Sequence, residues 1–193
     1  MSAAFLTLKI LPATAARWPD VVKLFGKNGA CAGCWCMWWR LRRSVWRAQK
    51  GAKNRNALRK LLAGDPAPGL IAYADGAPVG WCAFGPREGF TSLERSRILR
   101  RVDDQPVWSV VCFFVARGFR RRGVTAQLLE AAADYARRHS AATLEGYPVE
   151  PRTARMADVF AYTGLVSAFR RAGFVEVARR SATRPIMRRA LGR

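Results

Sequence analysis

Residues 110–132 read VVCFFVARGFRRRGVTAQLLEAA and place three things in immediate succession: an apolar run, a turn containing Arg120-x-x-Gly123-x-Thr125, and a helical pattern. The first amides of a helix have no partner within it, point outward and carry partial positive charge. A strand–turn–helix junction of this kind can cradle a pyrophosphate. Gly123 lets the main chain approach such a group closely. The segment has neither the Gly-Lys-Ser/Thr of a P-loop nor a G-x-G-x-x-G dinucleotide fingerprint.

A second cluster is Cys31-x-x-Cys34-x-Cys36, inside CAGCWCMWWRLRR. Three soft ligands invite a zinc reading, but a closed site needs four. Neither Cys82 nor His139 stands at a recognised spacing, so no metal is expected and the segment reads as an aromatic-rich packed loop.

These groups must be positioned by the rest of the chain. Phe5–Ile10 reads as a strand, and Thr14 can cap a helix carrying Trp18, Val21, Val22 and Phe25. A second helix is expected over Asn54–Ala63, stopped by Gly64. Two apolar runs around Asp75-Gly76 predict an antiparallel hairpin. Val107–Val115 is the central strand, and Val124, Leu128, Ala132, Tyr135 and Ala136 form the buried face of the next helix. Thr143–Tyr147 predicts a short strand and Phe160–Ala172 an amphipathic helix ended by Gly173. Phe174–Arg179 and Pro185–Arg189 make a final strand pair. The order is that of one α/β domain over residues 1–193.

Composition agrees with a folded core: half of the 193 residues are hydrophobic and 11% aromatic. No run approaches the length of a membrane span, and Lys9 interrupts what would be the apolar part of a signal peptide, so a cytoplasmic location is expected. Five cysteines are an odd number with no paired framework, and a reduced state is expected. The net charge of +21 suits polyanions, yet 28 of the 34 basic residues are arginines spread along the whole chain. Nucleic acid is therefore a possible partner, not the favoured one.

With the turn, the element order and the late helix-Gly-Phe-strand segment at Phe169–Val177 in view, the chain resembles the GNAT superfamily of N-acetyltransferases. The family signature, Gln/Arg-x-x-Gly-x-Gly/Ala, is met by Arg120 and Gly123, with Thr125 a departure. The resemblance implies an α/β GNAT fold: a mixed central sheet of six to seven strands flanked by helices, with the fourth and fifth strands splayed. It implies an acetyl-CoA donor whose pantetheine arm runs beside Phe113, Phe114 and Val115 and whose pyrophosphate sits at Arg120, Arg121, Arg122, Gly123, Val124, Thr125 and Ala126.

The implied reaction is direct attack of a primary amine of a small molecule or peptide on the thioester in a ternary complex. Many members place a tyrosine acid four residues before the Gly-Phe pair; here that position is Phe169, which has no proton to give. The candidate replacements are Glu145, Tyr147 and Tyr162, Glu145 being either a base or a solvated edge residue. Cys112 faces the cleft in this scheme, but the single histidine, His139, lies at a distant helix end, so packing is its reading. Trp35, Trp38 and Trp39 are expected to shape the acceptor pocket or to pack as ordinary core. A monomer or homodimer is expected, with no membrane partner. The competing reading is a noncatalytic CoA-binding or nucleic-acid-associated basic protein.

Overall fold

The computed structural model describes residues 6–151 and 158–192. Its centre is a seven-stranded sheet of order β1-β2-β3-β4-β5-β7-β6. The strands are β1 (Lys9–Pro12), β2 (Gly69–Ala74), β3 (Ala77–Pro86), β4 (Trp108–Val115), β5 (Thr143–Gly146), β6 (Val175–Arg179) and β7 (Pro185–Ala190). All neighbours are antiparallel except β4 and β5, which run parallel. Asp75 and Gly76 both adopt positive φ, 48° and 76°, the two left-handed residues that a tight hairpin between β2 and β3 demands.

The helices are α1 (Trp18–Phe25), α2 (Arg43–Ala48), α3 (Ala52–Leu61), α4 (Thr91–Glu94), α5 (Val124–Arg138) and α6 (Val166–Arg171). Leu128, Leu129, Ala132, Ala133 and Ala136 of α5 pack with Val110, Phe113 and Leu144 on one face of the sheet. Phe25 of α1, Trp35, and Leu58 of α3 pack with Ile71, Trp81 and Val111 on the other. Each face of the sheet thus buries one core, the arrangement expected when a largely apolar sheet is covered by amphipathic helices.

Three elements differ from expectation for local reasons. The first strand is Lys9–Pro12, because β2 pairs with it only from Leu70 to Tyr73; Phe5, where it was expected to begin, lies outside the described residues. A short helix, α2, precedes the expected second one, which itself starts at Ala52. The late helix is divided: a 3₁₀ turn covers Asp158–Ala161 and α6 begins only at Val166. Leu165 is held extended by a parallel bridge to Val149, and Val166 N–H bonds the Val149 carbonyl, so the chain cannot be helical there.

The β4–β5 pairing is brief. It joins Trp108–Val110 to Leu144–Gly146, after which β4 continues to Val115 paired with β3 but not with β5. The fourth and fifth strands therefore part at their C-terminal ends, where α5 begins.

Candidate active site

The parting strands open onto a cleft of about 940 Å³. Its floor is Cys112, Phe113, Phe114 and Val115 of β4; its rim on one side is the turn with Arg120, Arg121, Gly123, Val124, Thr125 and Ala126. The expected donor-binding residues are thus brought together, except that Arg122 does not line the cleft: its guanidinium lies over the Phe119 ring, 5.5 Å from the centroid.

The turn leaves open space at the start of α5. Gly123 has φ 80° and ψ 1°, a left-handed conformation that favours glycine, and a side chain there would meet nothing within 4 Å. The N-cap of α5 is Gly123 itself, which has no side chain to cap the first amides. Arg120 braces the turn from behind, its Nε bonding the Val115 carbonyl at 3.0 Å.

Along β4, Ala116 N–H bonds Val79 of β3, whereas Phe113 and Val115 turn their polar groups toward the gap. The Phe113 N–H is already engaged there by the Tyr162 carbonyl at 2.6 Å. An arm pairing at this donor must displace that carbonyl.

The three catalytic candidates separate. Tyr162 lines the cleft, half-buried, and burial raises its pKa against the opposing charge of Arg184, so its hydroxyl keeps its proton at neutral pH. Glu145 and Tyr147 do not line it. Glu145 is wholly buried: Oε1 accepts from Arg87 at 2.8 Å and from the Tyr147 hydroxyl at 2.6 Å, and Oε2 accepts from Arg188 at 2.7 Å. Arg87, itself buried, also bonds the Tyr147 oxygen, Glu94 and the Leu99 carbonyl, and Ser109 shares a hydrogen bond with Tyr147 at 2.8 Å. Burial and the Glu145 charge push the Tyr147 pKa far up. Neither proposed role for Glu145, base or solvated edge residue, matches a carboxylate saturated by two guanidiniums and a phenol. The network is a polar core that fastens β4 to β5.

Phe169 is also fully buried, edge-on to Phe113 and Phe174. A Cβ on Gly146 would lie 2.1 Å from its ring and one on Gly164 2.7 Å, so the ring occupies the slot between two glycines.

Of the tryptophans, Trp38 and Trp39 line the cleft and Trp35 does not. Positive φ at Trp35 and Cys36, 45° and 58°, turns the Trp35 ring inward against Trp18 and Phe25. Trp46 joins the wall, its ring edge-on to Trp38 at 4.8 Å, and was missed although Trp39 and Trp46 stand two helical turns apart in sequence. Phe160 and Arg171 also line the cleft unforeseen.

All five cysteines are free. Cys34, Cys36 and Cys112 share the cleft wall. The Cys36 sulfur accepts from the Cys112 thiol and from Trp81 Nε1 at 3.0 Å, which, with the nearby Arg40 charge, lowers its pKa despite burial. Cys34 is pushed up to about 11 by burial and the Cys36 charge. Among the described residues no group of three or more His, Cys, Asp or Glu side chains could hold a metal ion, and no helix is long and apolar enough to cross a membrane.

The family model of the acetyltransferase (GNAT) family matches residues 35–157, more than half of the chain. The chain belongs to the GNAT acetyltransferase family. No curated protein matches it. Solved structures share the fold at low identity. A GNAT-family acetyltransferase from Listeria monocytogenes is 11% identical with TM-score 0.58, the match covering 98% of each chain. The PaiA N-acetyltransferase from Thermoplasma acidophilum, in complex with coenzyme A, is 10% identical with TM-score 0.54, covering 95% of this chain and 99% of its own. YncA from Salmonella typhimurium, with its cofactor acetyl-CoA, is 14% identical with TM-score 0.51, covering 96% and 94%. The seven-stranded mixed sheet, with its parallel β4–β5 pair and flanking helices, is the GNAT fold.

Proposed function

We propose that this GNAT protein transfers the acetyl group of acetyl-CoA to a primary amine of a small molecule or peptide, by direct attack in a ternary complex. The observation that carries the reading is the junction of three features at one cleft: β4 parted from β5 beyond Val110, the start of α5 with glycine at its N-cap, and open space before Gly123. The PaiA and YncA structures, solved with coenzyme A and acetyl-CoA, support the choice of donor.

In this reading the amides of Val124, Thr125 and Ala126 face the pyrophosphate, with Arg120 and Arg121 adding charge. The pantetheine arm lies along Phe113, Phe114 and Val115 and takes the place of the Tyr162 carbonyl. The Phe113 N–H then donates to the thioester oxygen as charge develops there. The protonated Tyr162 hydroxyl is the available donor to the departing sulfur. Trp38 and Trp39 wall the acceptor side.

Thiol release from acetyl-CoA with an amine panel, run beside calorimetry with CoA, tests the proposal. Binding with amine-dependent release supports it. Binding with no release for any amine would support the noncatalytic CoA-binding reading, which the engagement of Glu145 and the Phe at position 169 favour.

A further inference from the structure

Among the described residues lining the cleft there is no carboxylate and no histidine; its charged side chains are Arg120, Arg121 and Arg171. The single histidine, His139, is stacked on Tyr135 at the end of α5. Three further ionisable groups there, Cys34, Cys112 and Tyr162, are poor proton acceptors. Cys112 holds its proton, because its thiol is hydrogen-bonded to Cys36 and buried, and burial does the same for Cys34 and Tyr162. The Cys36 sulfur already accepts from Trp81 and Cys112.

An alkylamine with a basicity like that of lysine is about a thousandfold more often protonated than neutral at neutral pH. As an ammonium it has no lone pair with which to attack. Among the described residues of this cleft it would find no carboxylate to pair with, and three arginines to repel it. An amino group conjugated to an aromatic ring is weakly basic and arrives neutral.

The walls suit such a ring. Phe25, Trp38, Trp39, Trp46, Phe114 and Tyr162 all line the cleft, and the Trp39 and Tyr162 rings lie 26° from parallel with centroids 6.4 Å apart. The Trp39 side chain is more than nine-tenths buried, and its indole N–H has no partner among the described residues. A buried donor left unmade is costly, and an acceptor atom on a bound molecule recovers that cost.

We infer that the acceptor is a weakly basic aromatic amine whose ring carries a hydrogen-bond acceptor, lying against Trp39 and Tyr162 with its amino group toward Cys112. The inference rests on the acetyl-transfer reading above and names the substrate class of the same site. The neutral nitrogen attacks the thioester carbonyl carbon, a C–N bond forms, and the C–S bond breaks. One nitrogen proton leaves with the CoA sulfur, so the products are an N-aryl amide and the free thiol. The chemistry needs no general base, in keeping with the absence of a carboxylate or histidine among the described lining residues.

The test compares 4-aminobenzoate with 4-(aminomethyl)benzoate, two probes of similar shape that share the carboxylate and differ in the amine, neutral in the first and an ammonium at neutral pH in the second. Thiol release and mass spectrometry of the product are followed across the neutral pH range, with CoA calorimetry in parallel. The expected result is kcat/KM at least about tenfold higher for 4-aminobenzoate at neutral pH, with a rate that is flat in pH, while the alkyl probe gains with rising pH as its neutral fraction grows. Trp39→Phe, which keeps a ring and removes the N–H, should raise KM for 4-aminobenzoate several-fold and leave kcat near its original value. Equal or better turnover of the alkyl probe at neutral pH overturns the inference alone, as does CoA binding without turnover of either probe. Absence of CoA binding overturns the acetyl-transfer reading beneath it.

Discussion

The Phe113 N–H and the Tyr162 carbonyl meet at 2.6 Å across the gap between β4 and β5. The chain around Tyr162 acts there as a surrogate neighbour for the unpaired end of β4. In the proposed reading, acetyl-CoA and this carbonyl compete for one donor. Hydrogen exchange should therefore show, on adding acetyl-CoA, faster exchange in a peptide spanning residues 158–165 and retained protection at Phe113. An unchanged pattern at saturating ligand would count against the placement of the arm.

Gly123→Glu puts bulk and negative charge in the space before the turn. The fold should persist, since nothing crowds the position, although a left-handed glutamate costs about 1–2 kcal/mol. CoA affinity by calorimetry should fall beyond measurement. Gly123→Asn tolerates the same φ and should keep most of it. Equal affinity of Gly123→Glu and the parent would remove the pyrophosphate from this turn.

Arg87→Met leaves the Glu145 carboxylate buried with Arg188 as its one remaining cation. The expected loss on denaturant unfolding is about 3–5 kcal/mol. Glu145→Gln should likewise destabilise while leaving thiol release per folded molecule unchanged. A loss of turnover in Glu145→Gln without a loss of stability would return Glu145 to the list of catalytic bases.

Cys36 has its pKa lowered, chiefly by the Cys112 thiol, and Cys34 has its pKa raised to about 11, chiefly by burial. Folding thus depresses one and elevates the other. The Cys36 contribution to stability is present above the ordinary thiol range and is lost as pH falls through its depressed folded value; the Cys34 contribution is present below that range and is lost as pH rises through about 11. Iodoacetamide at neutral pH should label Cys36 before Cys34, and Cys112→Ala should slow that labelling by raising the Cys36 pKa. Mass spectrometry of the labelled peptides decides it, and preferential labelling of Cys34 would refute the assignment.

The most legible parts of the sequence were those governed by local pattern. The Asp75-Gly76 hairpin and the passage from β4 through Gly123 into α5 are set by neighbouring residues, and both were readable. What was not readable depends on distant partners. Arg87 is one arginine among 28, and its role comes from Glu145 and Tyr147, 58 and 60 positions away. The late helix was expected too long because the bridge from Leu165 to Val149 overrides its helical periodicity. Trp35 was grouped with Trp38 and Trp39 because the left-handed turn at Trp35 and Cys36 leaves no mark in residue type.

The short β4–β5 ladder has a mechanical consequence. Bonded through Trp108–Val110 and riveted by Arg87, Glu145, Tyr147 and Ser109, the two strands resemble scissor blades fixed at the pivot. Their tips can spread to admit a thioester without unzipping the sheet. The pivot itself stays closed to water, its buried carboxylate working as hardware that holds the blades together.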